Sequence, residues 1–114
     1  MGGGYKITYI ASALVSKTGS GHQTVTCTCS GATVGNRYLC VVTTTNHSNN
    51  TGGITTWLSG MTKEVSGGSS GGYSKGVAYA IGVATSTSIG IKSYYPFYQD
   101  NNPGFYSVIL FELS

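Results

Sequence analysis

Apolar and polar residues alternate in short runs along most of the chain, and segments rich in Gly, Ser, Thr and Asn separate the runs. Alternation of this kind puts one set of side chains on each face of an extended strand. The plainest case is QTVTCTC, where Val25, Cys27 and Cys29 alternate with Thr24, Thr26 and Thr28, leaving one face apolar and the other hydroxylated. A first strand is predicted from Tyr5 to Ser16, long enough to bend or to cross between sheets. After a turn at Gly31 to Asn36, the segment Tyr38 to Thr45 carries apolar residues on both faces over Tyr38 to Val42, which suits a central strand covered on both sides. Short strands are predicted at Ile54 to Leu58, which holds the sole tryptophan, Trp57, and at Met61 to Val65.

The segment KGVAYAIGVA alternates large residues (Val77, Tyr79, Ile81, Val83) with small ones (Ala78, Ala80, Gly82, Ala84). The large set is predicted to face the core. The small set either admits another backbone closely, from the opposite sheet, a covering loop or a neighbouring subunit, or simply faces water. TSTSIGIKS gives a strand with Ile89 and Ile91 inward. The closing segment YSVILFEL sets Val108, Leu110 and Glu112 on one side and Ile109, Phe111 and Leu113 on the other. KTGSGH reads as a turn, and NHSNNTGG and SGGSSGGYS read as loops. Helical periodicity is nearly absent. Residues 1–114 therefore read as a single all-β domain, an antiparallel β-sandwich of about eight strands with jelly-roll or immunoglobulin-like connectivity.

Charged residues make up 8 % of the chain, against about 25 % in an average domain, so solubility rests on hydroxyls and amides. The net charge of +3 comes from basic residues scattered along the chain, without the cluster or stripe that nucleic-acid binding uses. No segment approaches the ~18 apolar residues of a membrane-spanning helix. The start MGGGYKI lacks the pattern of a signal peptide, and Lys6 argues against N-myristoylation at Gly2.

Candidate chemistry is thin. Glu64, Asp100 and Glu112 are the only carboxylates and lie far apart in sequence, whereas acid-base catalysis needs titratable groups held together in a cleft. Glu112 reads as a buried or interfacial carboxylate paired with a Lys or Arg, or as an exposed edge position. Gly67 to Gly71 match the letters G-x-S-x-G but lack the strand-to-helix turn of a nucleophile elbow. The sequons at Asn46 and Asn49 read as chance in an Asn-rich loop. Cys27, Cys29 and Cys40 read as reduced core thiols, or as a Cys40 bridge to one of the pair, and with His22 and His47 in loops they do not form a zinc pattern. No catalytic, cofactor-binding or metal-binding residue is assigned, and the chain is not expected to be an enzyme.

The stretch YYPFYQDNNPGFY, Tyr94 to Tyr106, holds six aromatic residues and both prolines of the chain. Three readings stay open. Phe97 and Phe105 plug the end of a sandwich while Pro103-Gly104 turns the chain; or the loop is a subunit contact; or it grips a glycan or receptor. Phe97 and Phe105 are expected buried and Tyr94, Tyr95 and Tyr98 exposed. The candidate contact residues are Tyr94, Tyr95, Tyr98, Asn101 and Trp57.

The segments SGATVGNRYLCVV, KGVAYAIGVATSTSIGI and the apolar final strand VILFEL give the chain an arrangement that resembles small β-sandwich virion structural proteins of tailed bacteriophages: capsid decoration proteins, head fibres and tail appendages. That resemblance implies a non-enzymatic protein that assembles with a capsid or tail protein and with copies of itself. It also implies synthesis in the cytoplasm of a bacterial host and a final place on the virion. The alternative is a carbohydrate- or receptor-binding β-sandwich module that uses the aromatic loop.

Overall fold

The structure, a computed structural model, describes residues 6–45, 58–68, 75–94, 97–98 and 103–114. Ten strands lie among them: β1 (Ile7–Lys17), β2 (Gly21–His22), β3 (Val25–Ser30), β4 (Arg37–Thr45), β5 (Leu58–Ser59), β6 (Met61–Gly68), β7 (Lys75–Ala84), β8 (Ser88–Tyr94), β9 (Phe97–Tyr98) and β10 (Gly104–Leu113). Three of these, β2, β5 and β9, are only two residues long, which reconciles the count with the about eight strands expected from the pattern. Among the described residues there is no helix, and so none long and apolar enough to cross a membrane.

One antiparallel sheet has five strands in the order β1-β10-β4-β7-β6; a second has three, β3-β8-β5. A short β2-β9 ladder pairs Gly21 with Tyr98 and His22 with Phe97, tying the turn after β1 to the aromatic segment through the backbone. The two larger sheets share one core. From the five-stranded sheet come Tyr38, Cys40, Val42, Tyr106, Val108 and Leu110; from the three-stranded sheet come Val25, Cys27, Cys29, Ile89, Ile91 and Leu58. Thiols of β3 reach across the layers: Cys27 Sγ donates to the Tyr106 carbonyl at 3.5 Å and Cys29 Sγ to the Val108 carbonyl at 3.4 Å.

Several sequence expectations are met by this packing. Val25, Cys27 and Cys29 turn inward, Ile89 and Ile91 are fully buried, and Val108 and Leu110 point to the core while Ile109 and Phe111 point away. β4 is the middle strand of its sheet. The cysteines are three free, buried thiols. β6 continues through Ser66, Gly67 and Gly68, which the composition had placed in a loop.

β7 departs from expectation. Its small residues face the core, with Ala78, Ala80 and Ala84 buried, and Val77 and Tyr79 face outward. The cause is pairing. β7 lies directly beside β4, with Cys40 opposite Ala80 and Val41 opposite Tyr79, and directly opposed residues share a face of the sheet. Since Tyr38, Cys40 and Val42 are inside, the register carries the alanines inside with them, whatever the size of the side chains between.

Candidate functional site

The outward face of the five-stranded sheet is built by the same register. One row across it runs Tyr9, Phe111, Leu39, Ile81 and Val65; the next runs Ser12, Ile109, Val41, Tyr79 and Gly67; a third holds Leu14, Ser107, Thr43 and Val77. Most of these side chains are apolar, and many are open to solvent: Leu14 is 72 % exposed and Val77 57 %. Two pairs of hydroxyls on the face bond each other. Tyr9 Oη and Ser12 Oγ lie 3.0 Å apart, and Thr43 Oγ1 hydrogen-bonds Ser107 Oγ. Tyr9 meets Phe111 edge-on, with ring centroids 6.1 Å apart at 71°. The Tyr79 ring covers Gly67, where an added Cβ would come within 2.9 Å of it.

Among the described side chains charge lies at one end of the face, while at the other end Lys75 takes the register position opposite Thr45. The Arg37 guanidinium grips Glu64 with both carboxylate oxygens at 3.0 Å. Glu64 is the extra residue of a bulge in β6, between Lys63 and Val65. On the other side of the sheet, opposite Tyr38, Glu112 accepts a hydrogen bond from Asn36 Nδ2 at 3.2 Å and one from the Tyr38 hydroxyl at 3.3 Å. Tyr38 Oη accepts in turn from the Thr33 amide at 2.7 Å. Glu112 thus has amide and phenol partners, where the sequence suggested a Lys or Arg. The sheet lies between Glu64 and Glu112, and Asp100 lies outside the described residues.

A second feature is a groove of about 330 Å³ on the outside of the three-stranded sheet, lined by Thr26, Thr28, Ser59, Gly60, Thr85, Ser86, Ser88 and Lys92. The hydroxylated face of β3 supplies its floor. Among the described residues no three His, Cys, Asp or Glu side chains come close enough together to hold a metal ion. The thiols are held protonated. Burial pushes Cys40 up to about 12 and Cys27 up to about 11, with the neighbouring Cys29 adding to both.

The candidate contacts in the aromatic stretch fare differently. Tyr94, expected to be exposed, is 5 % exposed and packs edge-on against Tyr106 in the core, with centroids 6.2 Å apart. The reason lies in β8. Val25 pairs with Tyr94 but Cys27 with Ile91, so β8 carries one extra residue at Lys92-Ser93, and Ser93 adopts the left-handed conformation with φ 58°. That bulge reverses the alternation and turns Tyr94 inward. Phe105, expected to be buried, is 47 % exposed on the outward face. Tyr98 lies in β9 by its backbone; its side chain, with Tyr95, Asn101 and Trp57, lies outside the described residues, as does the side chain of Phe97. The outward face itself was missed as a site. The signal was present in Tyr38 to Val42 and in VILFEL, where both parities are apolar, but it read as a strand covered on both sides by its own chain.

Comparison with family models, with curated proteins and with solved structures returns no match.

Proposed function

We propose that this chain is a non-enzymatic structural protein of a virion, a capsid decoration or surface appendage protein of the kind found in tailed bacteriophages, assembling through subunit contacts. The observation that carries the reading is the outward apolar face of the five-stranded sheet. Soluble monomers rarely leave a contiguous apolar patch of more than a few hundred Å² in water, and larger ones mark interaction surfaces. A hydrogen-bonded sheet with a mostly apolar outer face suits permanent assembly better than turnover. The two described carboxylates support this, since one is tied to Arg37 and the other to Asn36 and Tyr38. Free, buried cysteines agree with synthesis in a reducing bacterial cytoplasm.

The strand order favours a jelly roll over an immunoglobulin-like sandwich. The sheets β1-β10-β4-β7 and β3-β8-β5 interleave strands distant in sequence, and the chain passes from one of these two sheets to the other between β1 and β3, β3 and β4, β4 and β5, β5 and β6, β7 and β8, and β8 and β10. The pairing of β6 with β7 extends the larger sheet by one strand.

The test is to purify native particles from a lysate in which this chain is made and to look for it by mass spectrometry and cryo-microscopy. Symmetric copies on the particle support the proposal; particles that never carry the chain refute it. The hydroxyl-lined groove favours a second reading, a carbohydrate- or receptor-binding module, because sugar hydroxyls pair well with rows of Thr and Ser and an acidic sugar with Lys92. On a glycan array that reading requires binding that Lys92→Ala abolishes.

A further inference from the structure

We infer that the outward face of the five-stranded sheet is closed by a second copy of this chain. The inference rests on the reading above that the protein assembles through its own surface, and it names the occupant. Size is the first argument. Five strands spaced ~4.8 Å apart, each with about eight residues rising ~3.4 Å, make a face of roughly 24 by 27 Å, or ~650 Å² in projection. Side-chain relief raises the accessible area toward the ~800 Å² per partner of a standard stable interface.

Charge is the second. A surface that meets its own copy must not set like charges against each other, and the rows through Leu39, Val41 and Thr43 carry no charged side chain. The Arg37-Glu64 pair at the end of the face is neutral as a unit. A net charge of +3 therefore does not oppose self-contact there, because none of the excess positive charge lies in those rows. An acidic or basic partner would find no charged complement in these three rows, Lys75 standing beyond them opposite Thr45.

The sheet edges supply the third argument. Self-association of β-proteins commonly runs edge to edge, and natural edges are blunted by bulges and charges. Both edges of this sheet are blunted: β1 carries a bulge between Tyr9 and Ala11, and β6 one between Lys63 and Val65. Lys63 and Glu64 sit on the second. With the edges irregular and the central rows of the face uncharged and mostly apolar, contact between copies is directed to the face.

The experiment is sedimentation velocity and native mass spectrometry of the purified chain over a range of concentrations, with Val77→Glu, Leu14→Glu and a control, Thr26→Glu, on the far side of the molecule. The wild type and the control should have the mass of two or more copies. Each of the first two variants should raise the dissociation constant by roughly 100-fold or more, because a carboxylate is forced into a dry contact without a partner, while circular dichroism stays that of the folded subunit. Two variants are used so that misfolding of one does not decide the matter. A wild type that is monomeric at every concentration overturns the inference, as does an oligomer indifferent to both substitutions. A monomer that co-sediments with particles only while the face is intact places a capsid protein there; it defeats this inference and leaves the virion reading standing. An oligomer that never joins particles does the reverse.

Discussion

Replacing Leu110 by Ala removes an isopropyl group from the centre of the core, and replacing Leu14 by Ala removes the same group from the outward face. The two leucines lie on adjacent strands of one sheet, with Leu110 opposite Ala11 and Leu14 opposite Ser107. Leu110 is fully buried, beside Val108 and across from Cys40. At ~0.8 kcal/mol per buried carbon its truncation loses about 2 to 3 kcal/mol of transfer free energy. A residual cavity adds to that, for a total of about 3 to 4 kcal/mol. Leu14 is 72 % exposed, so only about a quarter of its group leaves water on folding, and its truncation costs ~0.6 kcal/mol. The assay is urea unfolding followed by tyrosine fluorescence, in a Val77→Glu background so that self-association contributes to neither. With a slope near ~1.5 kcal/mol per molar urea, the midpoint falls by roughly 2 M for Leu110→Ala and by less than about 0.5 M for Leu14→Ala. Equal shifts, or a larger one for Leu14→Ala, would mean that the core lies on the other side of this sheet.

Three further outcomes are expected. Gly60 has φ +90° and an added Cβ would stand 2.1 Å from the Ser88 carbonyl oxygen, so Gly60→Ala should lower stability by at least ~2 kcal/mol; a melting temperature within a degree or two of wild type rules this out. The buried thiols hold their protons in the folded state to about 11 at Cys27 and about 12 at Cys40, above a normal value of 9.0. The unfolded chain therefore loses protons first as pH rises past 9, and stability falls by up to about 1.4 kcal/mol per pH unit for each thiol, until the folded values are passed. A variant with all three cysteines replaced by Ala should lack that slope in alkaline denaturation curves, and native protein at pH 8 should react with a thiol reagent only at the rate of unfolding. Arg37→Ala breaks an ion pair whose side chains are 53 % and 41 % exposed, so it should cost less than about 1 kcal/mol, and a chevron plot with a larger change contradicts that.

The order of polar and apolar residues announces each long strand, because period-two alternation is a local property that survives into the sheet. QTVTCTC is the clearest instance, its thiols and Val25 inside and its threonines outside. What alternation does not carry is parity across an irregularity. At Lys92-Ser93 one inserted residue reverses the faces, so Tyr94, which counts as outward from Ile89 and Ile91, enters the core beside Tyr106. Nor does it say which face of β7 is inner. Size suggested Val77 and Tyr79, but the answer is set by hydrogen-bonded pairing with β4, between residues 30 to 46 positions apart, from Thr45 with Lys75 to Arg37 with Val83. The apolar outward face was legible as composition and illegible as location, since a run apolar on both sides looks the same whether its second cover is the same chain or another molecule.

Beyond the edge of the β1-β10 pair, Lys6 N–H donates to the Ser114 carbonyl at 2.7 Å and Ser114 N–H to the Lys6 carbonyl at 2.9 Å. The two ends of the described chain are therefore neighbours, about one inter-strand distance of ~4.8 Å apart. A linker of a few residues could join them into a ring, and the polypeptide could then be reopened at another turn with the same sheets intact. The same geometry lets this unit be spliced into a surface loop of a host protein as a guest domain, entering and leaving through a single narrow stalk.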